Sequence, residues 1–242
     1  MSDSRPADRT AGRFVRDFGP LVAVILVYFL LRARAPVDVD RAVRVAVRLI
    51  DIEKSLGLFR EQELQSATTG ARWARELANL TYAYLHFPVL AGMGAWLWWR
   101  NPTRFAVVRN TMYISMVIGL ACYYLLPVAP PRLLASYGHD YGFVDTVFGQ
   151  NAGVPYPQPS FYVNDFAAMP SYHFGWMALA SAAIWVETRN PFGRLLAAVL
   201  LLAMVWASAA TANHLFVDMV LGGLAVGVSW VVARRISRRL SG

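Results

Sequence analysis

Apolar residues in this chain run in long, nearly unbroken stretches, without the alternation of a half-buried strand. Six of these stretches approach the roughly 20 residues that a helix needs to cross a hydrocarbon core of about 30 Å. They cover residues 17–33, 77–99, 107–129, 168–187, 194–212 and 214–233. The pattern changes over residues 37–76. There Val39, Ala42, Val43, Ala46, Val47, Leu49 and Ile50 fall near one helical face, and Arg41, Arg44 and Arg48 fall on another. This predicts an amphipathic helix, either lying along a membrane surface or packed on the ends of a bundle. Residues 130–167 are rich in Gly, Pro and aromatics and read as an ordered cap, whereas WWRNPTR and ETRNPFGR are short turns.

Composition agrees with this pattern: 57% of the 242 residues are hydrophobic and 16% charged, too apolar for an ordinary soluble domain of this length. The expected fold is all-α, a polytopic membrane protein forming one six-helix bundle over residues 17–233. Polar segments 1–16 and 234–242 flank it, and 37–76 and 130–167 are its outer segments. The lone Cys122 lies inside an apolar stretch and reads as a packing residue.

The net charge of +8 invites a nucleic-acid reading, but the arginines follow the expected membrane instead. With the N-terminus inside, the inner segments hold thirteen basic residues against four acids, and the outer ones ten against eleven. That is the positive-inside pattern, and it predicts that both termini are cytoplasmic. Arg13 and Arg16 before a short apolar run, with Ala33-Arg34-Ala35 after it, also resemble a signal peptide. Arg32 and Arg34 suit a cleavage region poorly, so a retained helix is the preferred reading. The near-total preference for Arg over Lys suggests a GC-rich bacterial genome and hence a bacterial plasma membrane. The expected surroundings are a lipid bilayer and no nucleic acid.

Three polar clusters interrupt the apolar stretches, and the arginine count places all three at outer ends. LLPVAPPRLL brings Arg132, MPSYHFGW brings Ser171 and His173, and TANHLFVDMVLGG brings His214 and Asp218. His214 and Asp218 are four residues apart, hence on one helical face, where a carboxylate can hold one imidazole nitrogen and make the other more basic. His173 offers a second acid or base, Ser171 a hydroxyl, and Arg132 a planar cation suited to phosphate oxygens. Together they describe phosphoryl transfer through a phosphohistidine, with positioning and charge neutralisation as the main catalytic effects. No cofactor or metal is required. A divalent ion held by two His and one Asp is the lesser reading. Taken singly, His173 reads as a satisfied interfacial residue, Asp218 as part of a helix cap, and Arg132 as a residue snorkelling to head groups.

The order Pro-Ser-x-His followed by His-x-x-x-Asp resembles the second and third motifs of the type 2 phosphatidic acid phosphatase superfamily, which shares a helical core with vanadium-dependent haloperoxidases. The resemblance implies His214 as nucleophile, Asp218 as its partner, His173 as general acid and Ser171 as a phosphate ligand, acting on a membrane lipid phosphate. Two departures stand out. The first motif of that superfamily has a Lys where this chain has Leu125, and the third has an Arg where this chain has Ser208. Pro-Val-Ala-Pro-Pro, Tyr172 in place of Gly and the missing third-motif Arg are similar to the inositol phosphorylceramide synthase branch, which transfers a phosphoinositol head group between lipids. Asn79, Tyr82 and His86, on one face of the second stretch, echo that branch and imply head-group contacts. Arg132, His139, Arg32 and Arg34 are the candidates to replace the lost cations. A proton-coupled lipid transporter and a non-catalytic scaffold are the readings from other classes.

Overall fold

The computed structural model describes residues 6–148 and 163–240, so residues 149–162 of the expected outer cap lie outside the described residues. Nine α-helices are described: α1 Pro6–Ala33, α2 Val39–Ser55, α3 Glu61–Thr69, α4 Arg72–Leu80, α5 His86–Arg100, α6 Pro102–Leu125, α7 Tyr172–Glu187, α8 Pro191–Ala210 and α9 Phe216–Leu240. A π-helical turn, Thr81–Leu85, joins α4 to α5, and a 3₁₀ helix, Pro131–Tyr137, follows α6. Among the described residues the only β pairing is an isolated bridge between Val128 and Ala167.

Among the described residues, four helical stretches are long and apolar enough to cross a membrane: Gly12–Ala33, Pro102–Leu125, Pro191–Ala210 and Phe216–Arg239. They match the first, third, fifth and sixth predicted spans. The second, 77–99, is divided by the π turn into shorter α-helical pieces. The fourth begins late, because Ser171 caps α7 and leaves sixteen helical residues. At 1.5 Å per residue these reach about 24 Å, less than a full hydrocarbon core. Helix α1 starts at Pro6 and α9 runs to Leu240, so both take in most of the segments expected as polar tails.

Local sequence explains the inner turns. Asn101 and Asn190 each place a side-chain oxygen on an amide of the next turn, with Pro102 and Pro191 directly behind in the first helical position. At this end Glu187 of α7 meets Arg104 at 2.5 Å and Asn101 at 3.1 Å, and Asp17 accepts from the Trp98 indole at 2.9 Å. Helix α7 packs against α5, α8 and α9, and α1 lies outermost, with exposed Val22, Leu26, Val27 and Leu30.

At the other end, α2 settles between its two predicted placements by packing on the bundle. Ala42, Val43, Ala46 and Ile50 are buried with Val128, Leu134, Met169 and Leu215, while Arg41, Arg44 and Arg48 stay exposed. α2 and α3 also supply something the apolar pattern does not reveal. Three carboxylates take three consecutive amides at the start of α9: Asp218 accepts from Leu215 at 3.0 Å, Glu61 from Phe216 at 2.6 Å and Glu53 from Val217 at 2.7 Å. The positive end of the helix dipole suits such anions.

Burial, the adjacent Glu61 carboxyl and the charge of Asp218 push Glu53 from its ordinary value of 4.5 up to about 8. Because the folded value is raised, the contribution to stability is fully present below the unfolded value and is lost as pH rises through the folded one. Thermal stability of the detergent-solubilised protein should therefore fall from pH 5 to pH 8. Glu53→Gln, which keeps an acceptor oxygen and cannot ionise, should flatten that decline. An unchanged pH profile in the variant would show that Glu53 does not carry it.

Candidate active site

The turn between α8 and α9 is tight. Ala212 adopts a left-handed backbone with φ of 52°, and the Ser208 carbonyl accepts the amides of both Asn213 and His214, at 3.2 and 3.3 Å. The 3₁₀ helix braces this reversal. The Arg132 amide donates to the Ala212 carbonyl at 2.9 Å, and Arg132 Nε donates to Asn213 Oδ1 at 3.0 Å. His214 is thus delivered from a held turn just before α9. Its Nδ1 faces Asp218 Oδ2 at 3.8 Å, and its Nε2 lies 3.4 Å from the Tyr82 hydroxyl.

Asp218 is fully buried, and among the described residues neither its Oδ1 nor His214 Nδ1 has a hydrogen-bond partner. At this separation a short shift would bring His214 Nδ1 and the Asp218 carboxylate into a hydrogen bond. Such a bond would fix the ring through Nδ1 and leave Nε2 on the Tyr82 side.

Ser171 stands at the head of α7 and joins it to α9: its hydroxyl caps the Phe174 amide at 3.5 Å, and its own amide donates to the Asp218 carbonyl at 3.0 Å. Gly175 and Gly222 let the two backbones touch there, since a Cβ on Gly222 would strike the Ser171 carbonyl. In the first turn of α7, His173 stacks on Tyr82, with ring centroids 4.2 Å apart and planes at 25°. It lies 4.6 Å from the His86 ring and 5.8 Å from that of His214. Tyr82 belongs to the π turn, an irregularity often found where a helix presents functional side chains.

Tyr82, His86, His173 and His214 border a cavity of about 120 Å³, lined also by Arg32, Arg132, Tyr28, Tyr123, Tyr172 and Trp176. Ser171 and Asp218 sit behind this wall and shape it from within the helix contact. Tyr172, bulky where the resemblance has Gly, is accommodated by Gly119 on α6. Its ring stacks on Trp176 at 5.1 Å, and its hydroxyl donates to the Ser115 carbonyl.

The structure therefore brings His173, His214, Asp218, Ser171, Arg132, Tyr82 and His86 together. It does not bring in Asn79 or His139. The Asn79 amide donates to the Thr146 carbonyl at 2.6 Å and anchors the outer segment, and His139 is exposed beyond the 3₁₀ helix. Arg34 is also exposed, and its side chain donates to its own helix at the Leu30 carbonyl. Tyr28, Tyr123 and Trp176 do not stand out in the sequence, because aromatics inside apolar stretches carry no mark distinguishing a cavity wall from a lipid-facing anchor.

A family model described as the PAP2 superfamily matches residues 47–232. No curated protein and no solved structure matches the chain.

Proposed function

The chain belongs to the PAP2 superfamily, and from that premise we propose that it is an integral-membrane lipid phosphatase or phosphotransferase working through a phosphohistidine on His214. The observation that carries this is the meeting of His214 and His173 across one cavity, their rings 5.8 Å apart, with Asp218 behind His214. The Nε2 lone pair attacks phosphorus, the bond from phosphorus to the leaving oxygen breaks, and protonated His173 gives its proton to that oxygen. Water or a lipid or sugar hydroxyl then attacks the phosphorus, the N–P bond breaks, and His173 takes the incoming proton. Ser171 acts from the α7 terminus, through the hydroxyl that caps the helix and the amide that ties it to Asp218.

The substrate class is a membrane lipid phosphate or phosphodiester. With α7 and the α4–α5 run taken as crossings beside the four long apolar helices, the arginine distribution supports a cavity that opens at the extracytoplasmic face of a plasma membrane. Transfer of a head group to a hydroxyl, as in the inositolphosphotransferase-like branch, is favoured over simple hydrolysis by one feature: Tyr82 and His86, from the face that echoes that branch, both line the cavity.

Purified protein should release phosphate from, or exchange the head group of, at least one of phosphatidic acid, polyprenyl pyrophosphate and phosphatidylinositol. Radiolabelled head group appearing on an added lipid hydroxyl would select transfer, and phosphate release alone would select hydrolysis. Equal behaviour of wild type and His214→Ala on every substrate would remove the enzyme reading.

A further inference from the structure

Two guanidinium groups stand on the cavity wall, and their surroundings differ. Arg132 is buried and heavily engaged. Besides Asn213 it donates to Asp145 at 2.8 Å and Asp165 at 3.1 Å, and its guanidinium lies 4.4 Å from the Phe148 ring centroid. Two carboxylates already answer its charge.

Arg32, in the last turn of α1, has no carboxylate within ion-pair distance among the described residues, and its side chain donates a single hydrogen bond, Nη2 to the Asn164 carbonyl at 3.4 Å. It is nevertheless held in place. The Asn164 side chain donates back to the Arg32 carbonyl at 3.1 Å, and the guanidinium lies 5.8 Å from the Tyr123 ring centroid. It lines the same cavity as His173 and His214. A half-buried cation without a counter-ion, fixed beside a phosphoryl-transfer pair, is a preorganised receptor for an anion.

We propose that Arg32 is the cation that receives the non-bridging oxygens of the substrate phosphate, and that Arg132 instead braces the turn carrying His214. The proposal rests on reading the cavity as the phosphate site. Its consequence for the architecture is that a phosphate ligand comes from α1, outside the matched residues 47–232. The two cations missing from the family pattern are then answered, at least in part, from a different helix.

The test uses full-length protein in detergent and orthovanadate as the phosphate probe, with binding followed by calorimetry. Arg32→Ala should weaken vanadate binding about tenfold or more and raise KM for the lipid phosphate by a similar factor, as loss of charge-assisted hydrogen bonds implies. Arg32→Lys should recover part of the binding, and the exposed Arg34→Ala should bind as wild type. Vanadate binding unchanged in Arg32→Ala, equal losses in Arg34→Ala, or no binding by the wild type would each overturn it. The two readings fail separately. If His214→Ala is inactive while Arg32→Ala binds vanadate normally, only the Arg32 assignment falls. If His214→Ala stays active while Arg32→Ala loses vanadate, the phosphohistidine falls and the cation site stands.

Discussion

Replacing His214 by Ala is expected to lower turnover on the preferred lipid phosphate by about 10⁴-fold or more, the scale seen when a covalent nucleophile is removed. The geometry explains why nothing substitutes for it. His173 is engaged in a stack with Tyr82, and only His214 has a carboxylate placed behind one ring nitrogen. The fold should survive the change, because Asp218 keeps its bond from the Leu215 amide and Glu53 and Glu61 still hold the next two amides of α9. The thermal unfolding midpoint should therefore move little while turnover collapses. A variant that loses both together would point to a structural role.

The second large effect is expected at Gly222, whose own atoms take no part in the chemistry. A Cβ there would collide with the Ser171 carbonyl oxygen and lie 2.9 Å from its carbon and 3.2 Å from its nitrogen. All three are backbone atoms, so no rotamer change relieves the contact. The α7 terminus must move off α9, which breaks the Ser171 to Asp218 bond and separates His173 from His214. Overpacking of this kind destabilises by about 1 to 3 kcal/mol. A displacement of about 1 Å at the site lowers activity about 100-fold. Gly227→Ala, on the same helix with nothing within 4 Å, should leave both stability and turnover unchanged. Turnover and thermal unfolding of the two variants side by side check this, and a Gly222→Ala protein that behaves as wild type would mean that the close helix crossing does not position the pair.

How much of this was legible in the sequence depends on the kind of signal. Polar residues inside apolar stretches are conspicuous, because lipid tolerates them poorly, so the residue pattern alone picks out His173, His214 and Asp218 and assigns them to one end of a bundle. The helix starts are set locally: Ser171, Asn101 and Asn190 each place a side-chain oxygen on an amide of the turn that follows. What stayed hidden was long-range partnership. Glu53 and Glu61 look like solvated charges on amphipathic segments, and only folding brings them onto the amides of Val217 and Phe216. Arg132 has the chemistry of a phosphate ligand in sequence, yet Asp145 and Asp165, thirteen and thirty-three residues away, occupy its fork.

The predicted spans show the same division. Continuous hydropathy identified α1, α6, α8 and α9, whereas the π turn that breaks 77–99 has no hydropathic signature, although it is the turn that carries Tyr82. Resemblance drew attention to Asn79, Tyr82 and His86 as one face. The structure divides that face, sending Tyr82 and His86 to the cavity and Asn79 to Thr146.

The most direct test of the central claim is to trap the covalent intermediate. Protein mixed briefly with lipid phosphate radiolabelled in the transferring phosphoryl group, then quenched in base, should retain label that is stable to alkali, released by acid, and mapped to the peptide containing His214. The same label should be absent from His214→Ala. Label persisting in His214→Ala, or mapping to another residue, would contradict the account.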